Sequence, residues 1–109
     1  MTNDIRDFYR VNGFYIHQSP ILDASLITAA REGMDQVIAG DYDTGNPPEG
    51  SSCNSGGDPQ ALYKIELPQK ANRAIWELIR SSQIGECVAA ATGATMVQVW
   101  WVQLLFKPP

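Results

Sequence analysis

The stretch Met96–Lys107 constrains this chain more than any other. It is rich in β-branched and aromatic residues and has no Gly or Pro before the closing Pro108-Pro109 pair. That composition predicts a β-strand of about ten residues, near the upper end of the usual range. One parity carries Met96, Gln98, Trp100, Val102, Leu104 and Phe106. The other carries Val97, Val99, Trp101, Gln103, Leu105 and Lys107. Apolar side chains on both faces call for cover on both, so residues 96–107 are expected to form a central core strand. Gln103 stands out there, because a buried amide needs partners. Two readings stand: it ties neighbouring backbone together, or it faces a polar ligand.

At 109 residues with a 44% hydrophobic content, the chain can build one modest core, and residues 1–109 are expected to be one small domain or part of one. Charged residues make up 18%, below the roughly 25% typical of soluble proteins, so more surface than usual is expected to meet other structure. A net charge of −4 argues against nucleic acid or an anionic membrane as partner. The N-terminus lacks a hydrophobic signal core and no apolar run reaches membrane-spanning length, which predicts a cytoplasmic protein. Cys53 and Cys87 are too few for a disulfide framework or a zinc cluster and are expected to be reduced. His17 is the only histidine, so no His-based metal site can be completed from these residues.

The rest of the chain reads in order. Residues 3–12 predict a short helix, capped by Asn3 or Asp4, with Ile5, Phe8 and Tyr9 as its stripe and Gly13 as its stop. Phe14–His17 predicts a short strand, with His17 as a strand or edge residue. Asp23 opens the clearest helix, in which Leu26, Ile27, Ala30, Met34, Val37 and Ile38 recur at helical spacing and Gly40 supplies the stop. Gly33 inside it costs about 1 kcal/mol against Ala and so marks close packing. Residues 41–60 carry turn signals throughout and predict a flexible loop, with Asp41 and Asp43 solvated. Residues 61–67 alternate as a strand, with Leu62 and Lys64 on one face and Tyr63 and Ile65 on the other. Pro68 then opens a helix running to about Ser82, with Ala71, Ile75, Leu78 and Ile79 as its apolar face. A second short helix, about Ile84 to Thr92, offers Val88 and Ala91 to the core, and Gly93 turns into the last strand.

This succession resembles the opening of the phytanoyl-CoA dioxygenase family, the iron(II)- and 2-oxoglutarate-dependent oxygenases. The carrying residues are Asn12-Gly13-Phe14-Tyr15-Ile16, the helix Leu22–Val37, Leu62-Tyr63-Lys64-Ile65, and Gly93-Ala94 leading into Val99–Pro109. The resemblance implies an α+β fold: the N-terminal helices and first strands of a double-stranded β-helix (jelly roll), truncated before the iron-binding motif. In the family the strand ending in Lys-Pro leads to a His-x-Asp pair of iron ligands, which this sequence does not contain.

The resemblance implies site residues one by one. Lys64 matches a lysine that reaches the 2-oxoglutarate carboxylate, against the alternative of a solvated strand-end lysine. Gln103 matches a strand position lining the co-substrate pocket. Trp101 shares its face, as a pocket wall or as core. The implied cofactors are Fe(II) and 2-oxoglutarate, neither expected to bind this chain alone, and the implied partner is a small-molecule substrate. Function is thus expected to be the N-terminal part of a dioxygenase that hydroxylates its substrate, inactive without the iron ligands. The alternative is a non-catalytic α+β module for interaction or dimerisation. Under either reading the chain is expected to self-associate or to pair with a missing C-terminal half, because the terminal strand is too apolar for its upstream elements to cover.

Overall fold

Asp23, in extended conformation, leads into the longest helix, Ala24–Ala39, and Gly40 closes it in the left-handed region with its N–H on the carbonyls of Gln36 and Val37. The computed structural model describes residues 2–51 and 62–108. Among them the helices are α1 (Thr2–Asn12), α2 (Ala24–Ala39), α3 (Arg73–Ile79) and α4 (Ser82–Thr92). The strands are β1 (Gly50–Ser51), β2 (Tyr63–Glu66) and β3 (Gln103–Phe106), and a 3-10 turn covers Pro68–Lys70. The chain is a small α+β protein. Its sheet is antiparallel in the order β1-β2-β3, with Ile65 opposite Leu104 and Glu66 opposite Gln103.

The helical and strand periods meet in one core. Val37 of α2, Ile65 of β2, Ala71 after the 3-10 turn, Ile75 of α3 and Leu104 of β3 are buried together, with Met34, Ile38, Tyr42 and Ile79 packed around them. The predicted apolar stripe of α2 meets this core through Met34, Val37 and Ile38, and Ala30 and Gly33 are also buried, whereas Ile27 at the start of the stripe is 39% exposed. The alternation of β2 also holds: Tyr63 and Ile65 are buried under the helices, while Leu62 and Lys64 are exposed. Phe106 follows Tyr63 onto the covered face, where their rings meet edge-to-face at 5.9 Å.

The terminal stretch departs from its reading. Only Gln103–Phe106 is strand, and β3 is an edge of the described sheet, not its centre. Ladder length is fixed by the partner as much as by propensity. β2 runs out at Glu66 because Leu67 turns into the left-handed region (φ 51°) and Pro68 carries no N–H. One more bond, from Leu67 N to Val102 O at 2.9 Å, closes the pairing. Upstream of it Met96 and Trp100 lie 88% and 91% exposed, so the stretch is not covered on both faces.

Three further expectations change. Phe14–His17 is not a strand; its rings pack edge-to-face on α1 instead, Phe14 and Tyr15 each on Phe8 and His17 on Tyr15. The helix expected from Pro68 to Ser82 breaks at Asn72, whose extended backbone (φ −148°) caps α3. Val88 does not join the core: no residue of α4 is fully buried, and α4 packs on α1. Asn3 and Asp4 lie within α1, which begins at Thr2.

Part of the loop predicted over 41–60 is held in place. Thr44 Oγ1 donates to the Lys70 carbonyl at 2.5 Å, and Glu49 N donates to Glu66 O as β1 joins the sheet. Asp43 is not simply solvated, since its Oδ1 accepts the Arg73 N–H at 3.0 Å and satisfies a free donor at the start of α3. Residues 52–60, including Cys53, lie outside the described residues.

Candidate functional site

One face of the β2–β3 pair is covered by α2 and α3; the other is open. Strand alternation puts Lys64 and Glu66 of β2 on the open face, with Gln103 and Leu105 of β3 opposite them. Trp101, two residues before Gln103, keeps the same parity just beyond the ladder. The three residues singled out from the sequence, Lys64, Trp101 and Gln103, are therefore brought together.

They converge on a fourth residue, Glu66. The Trp101 indole N–H donates to Glu66 Oε2 at 2.6 Å and the Gln103 amide donates to Oε1 at 3.0 Å. The Lys64 ammonium stands 3.3 Å from the same Oε1. An indole from the segment before β3, an amide from β3 and an ammonium from β2 thus surround one carboxylate, through charge-assisted bonds of the stronger kind. The indole bond is the largest influence holding the Glu66 carboxyl below its ordinary value of 4.5. Partial burial opposes it, and Gln103 and Lys64 add to the lowering. The Glu66 side chain remains 24% exposed, so water reaches the cluster.

The Gln103 amide bonds a side-chain carboxylate on an exposed face, and the buried amide expected from the sequence is not what forms. Trp101 is 51% exposed and forms a wall of the open face, not core. Glu66 was missed. The signal was present, since it lies two residues after Lys64 in an alternating strand, where opposite charges share a face.

Elsewhere, His17 and Cys87 border a cleft of about 280 Å³ with Tyr9, Tyr15, Val88, Ala91 and Thr92, between α1 and α4. Cys87 is a free thiol. Among the described residues no group of three or more His, Cys, Asp or Glu side chains is placed to hold a metal ion, and no helix is long and apolar enough to cross a membrane. No family model matches the sequence, and neither a curated protein nor a solved structure matches it significantly.

Proposed function

We propose that the open face of the β2–β3 pair is a carboxylate-binding wall, and that it belongs to an Fe(II)/2-oxoglutarate-dependent oxygenase of the phytanoyl-CoA dioxygenase type with a jelly-roll core. The observation that carries the first half is the convergence of Lys64, Trp101 and Gln103 on one carboxylate. The reaction class rests on the sequence resemblance. These donors fit a carboxylate end of 2-oxoglutarate: a point charge for the anion and two directional N–H groups to orient it. When bound, 2-oxoglutarate supplies electrons for oxygen activation in such enzymes. This chain's residues bind and orient it. The side chains present do not fit an iron centre, with His17 as the only histidine.

The assembled donors also alter one expectation. The resemblance alone implies no co-substrate binding by this chain, whereas three donors already converging on a carboxylate support weak binding without iron. The test is titration of the 109-residue chain with 2-oxoglutarate, read by Trp fluorescence and by the Gln103 side-chain amide in NMR. Saturable binding lost in Lys64→Met supports the proposal. Unchanged spectra at high millimolar 2-oxoglutarate speak against it.

A second reading, an interaction module, is favoured by a different observation: Leu105 is 62% and Trp100 91% exposed beside the edge strand β3. Such an edge can template another copy. Sedimentation equilibrium at tens of micromolar is expected to show self-association that Leu105→Lys weakens and Glu86→Ala, exposed on α4, leaves intact. A monomer under those conditions removes this reading.

A further inference from the structure

We propose that Glu66 is a built-in occupant of the carboxylate site, an internal anion that an incoming carboxylate ligand has to displace. The inference rests on the carboxylate-binding reading above and adds a residue that the sequence comparison never pointed to. Its basis is competition for the same atoms. Trp101 Nε1 has a single hydrogen, and that hydrogen is committed to Glu66 Oε2. Gln103 Nε2 donates to Glu66 Oε1, beside which the Lys64 ammonium also stands. A second carboxylate cannot take the indole hydrogen while Glu66 holds it, and it could reach the remaining hydrogens of Gln103 Nε2 and Lys64 Nζ only beside the Glu66 charge, where two carboxylates so close repel each other.

Glu66 is able to leave. It is anchored by its own backbone in β2, where Cα pairing with Gln103 and Gly50 does not depend on its side chain. Its side chain is 24% exposed, so rotation outward exchanges protein donors for solvent without burying a charge. The site therefore has two states. In one the chain's own carboxylate fills it; in the other a ligand carboxylate does, and Glu66 is solvated. Where the competent state is a minor fraction, apparent affinity falls by that fraction.

The experiment compares 2-oxoglutarate, succinate and acetate binding to the wild-type chain, Glu66→Ala and Glu66→Ala/Lys64→Met, with fold checked by near-UV circular dichroism of the tryptophans. If Glu66 fills the site about nine-tenths of the time, Glu66→Ala binds 2-oxoglutarate roughly tenfold more tightly than wild type. The double variant loses that gain. Succinate and acetate gaining equally marks a site for any carboxylate; a larger gain for 2-oxoglutarate marks one shaped for the oxoacid, and both support displacement. Equal affinity of wild type and Glu66→Ala overturns the inference while leaving the carboxylate-binding reading in place. Weaker binding by Glu66→Ala also overturns it, because Glu66 then helps to hold the ligand. No binding by either folded chain overturns both. Should Glu66→Ala fail to fold, Glu66→Gln serves in its place: it keeps the shape but lacks the charge, and displacement then predicts a smaller gain of the same sign.

Discussion

Asn72 and Glu66 are two polar hubs among the described residues, and they teach different things because one is buried and the other is not. Asn72 is 1% exposed. Its Oδ1 accepts the Ile75 N–H at 3.1 Å, its Nδ2 donates to Gln36 Oε1 at 3.0 Å, and it fills the notch left by Gly33. It ties the start of α3 to the flank of α2. Glu66 gathers a similar number of partners on the open sheet face, but water competes with every one of them. Bonds to a buried group are costly to lose, since the orphaned partner stays desolvated. Bonds at an exposed group are exchangeable. The first hub locks helices together; the second has the properties of a binding site.

The sharpest way to break this contrast is Gly33→Ala. A Cβ at Gly33 would stand 2.2 Å from Asn72 Oδ1 and 2.8 Å from its Cγ, so the amide has to move out of its cap. Overpacking costs about 1–3 kcal/mol, and the lost cap adds about 1 kcal/mol. The better helix propensity of Ala returns about 1 kcal/mol. The expected net loss is about 1–3 kcal/mol, read by urea denaturation. A stabilised variant would mean that α2 and α3 are not locked through this notch.

Asn72→Ala comes next. It removes the cap and the link to Gln36, for an expected loss of about 1–2 kcal/mol. Gln36 is exposed and finds water, which keeps the cost below that of Gly33→Ala. Combining the two substitutions sharpens the test. With Ala at 72 the Cβ at 33 has room, so the double variant is expected to be more stable than the sum of the single losses predicts. Additivity would show that the two residues do not meet.

How much of this was legible in the sequence depended on whether a signal was local. The α2 stripe from Ala30 to Ile38, the stop at Gly40 and the faces of β2 follow from periods of 3.6 and 2, and they stand where expected, while Ile27 is exposed. Gly33 was readable as a close contact, though not its partner, because Asn72 lies in a segment where Pro68 suggested an uninterrupted helix. The parity of the last strand was correct from Trp101 to Lys107, with Leu104 buried and Gln103 and Leu105 exposed. Its length was not, because that depends on where β2 ends, at Leu67-Pro68. Gln103 stands out from the strand pattern itself, Lys64 and Trp101 enter through the family resemblance, and their meeting on Glu66 is a matter of register, which no single segment encodes.

The smallest expected effect is the pH dependence of the Glu66 hub. Its carboxyl is held below its ordinary value, chiefly by the Trp101 indole N–H. A group whose folded value is depressed contributes stability that is fully present above the unfolded value. That contribution is lost as pH falls through the folded value, because the protonated acid no longer rewards its donors. The window therefore lies below about 4.5, the ordinary value of the carboxyl. Glu49, lowered mainly by its hydrogen bond from Lys70, acts with the same sign, so it has to be removed from the comparison by Glu49→Gln. In that background, stability measured at pH 6 and pH 3 should fall slightly more for Glu66 than for Glu66→Gln. The carboxyl carbon of Glu66 should titrate below that of an unpaired glutamate. Titration at or above the ordinary value would mean that the indole and amide are not held on this carboxylate in solution, and that the open face lacks the assembled donors on which its proposed ligand depends.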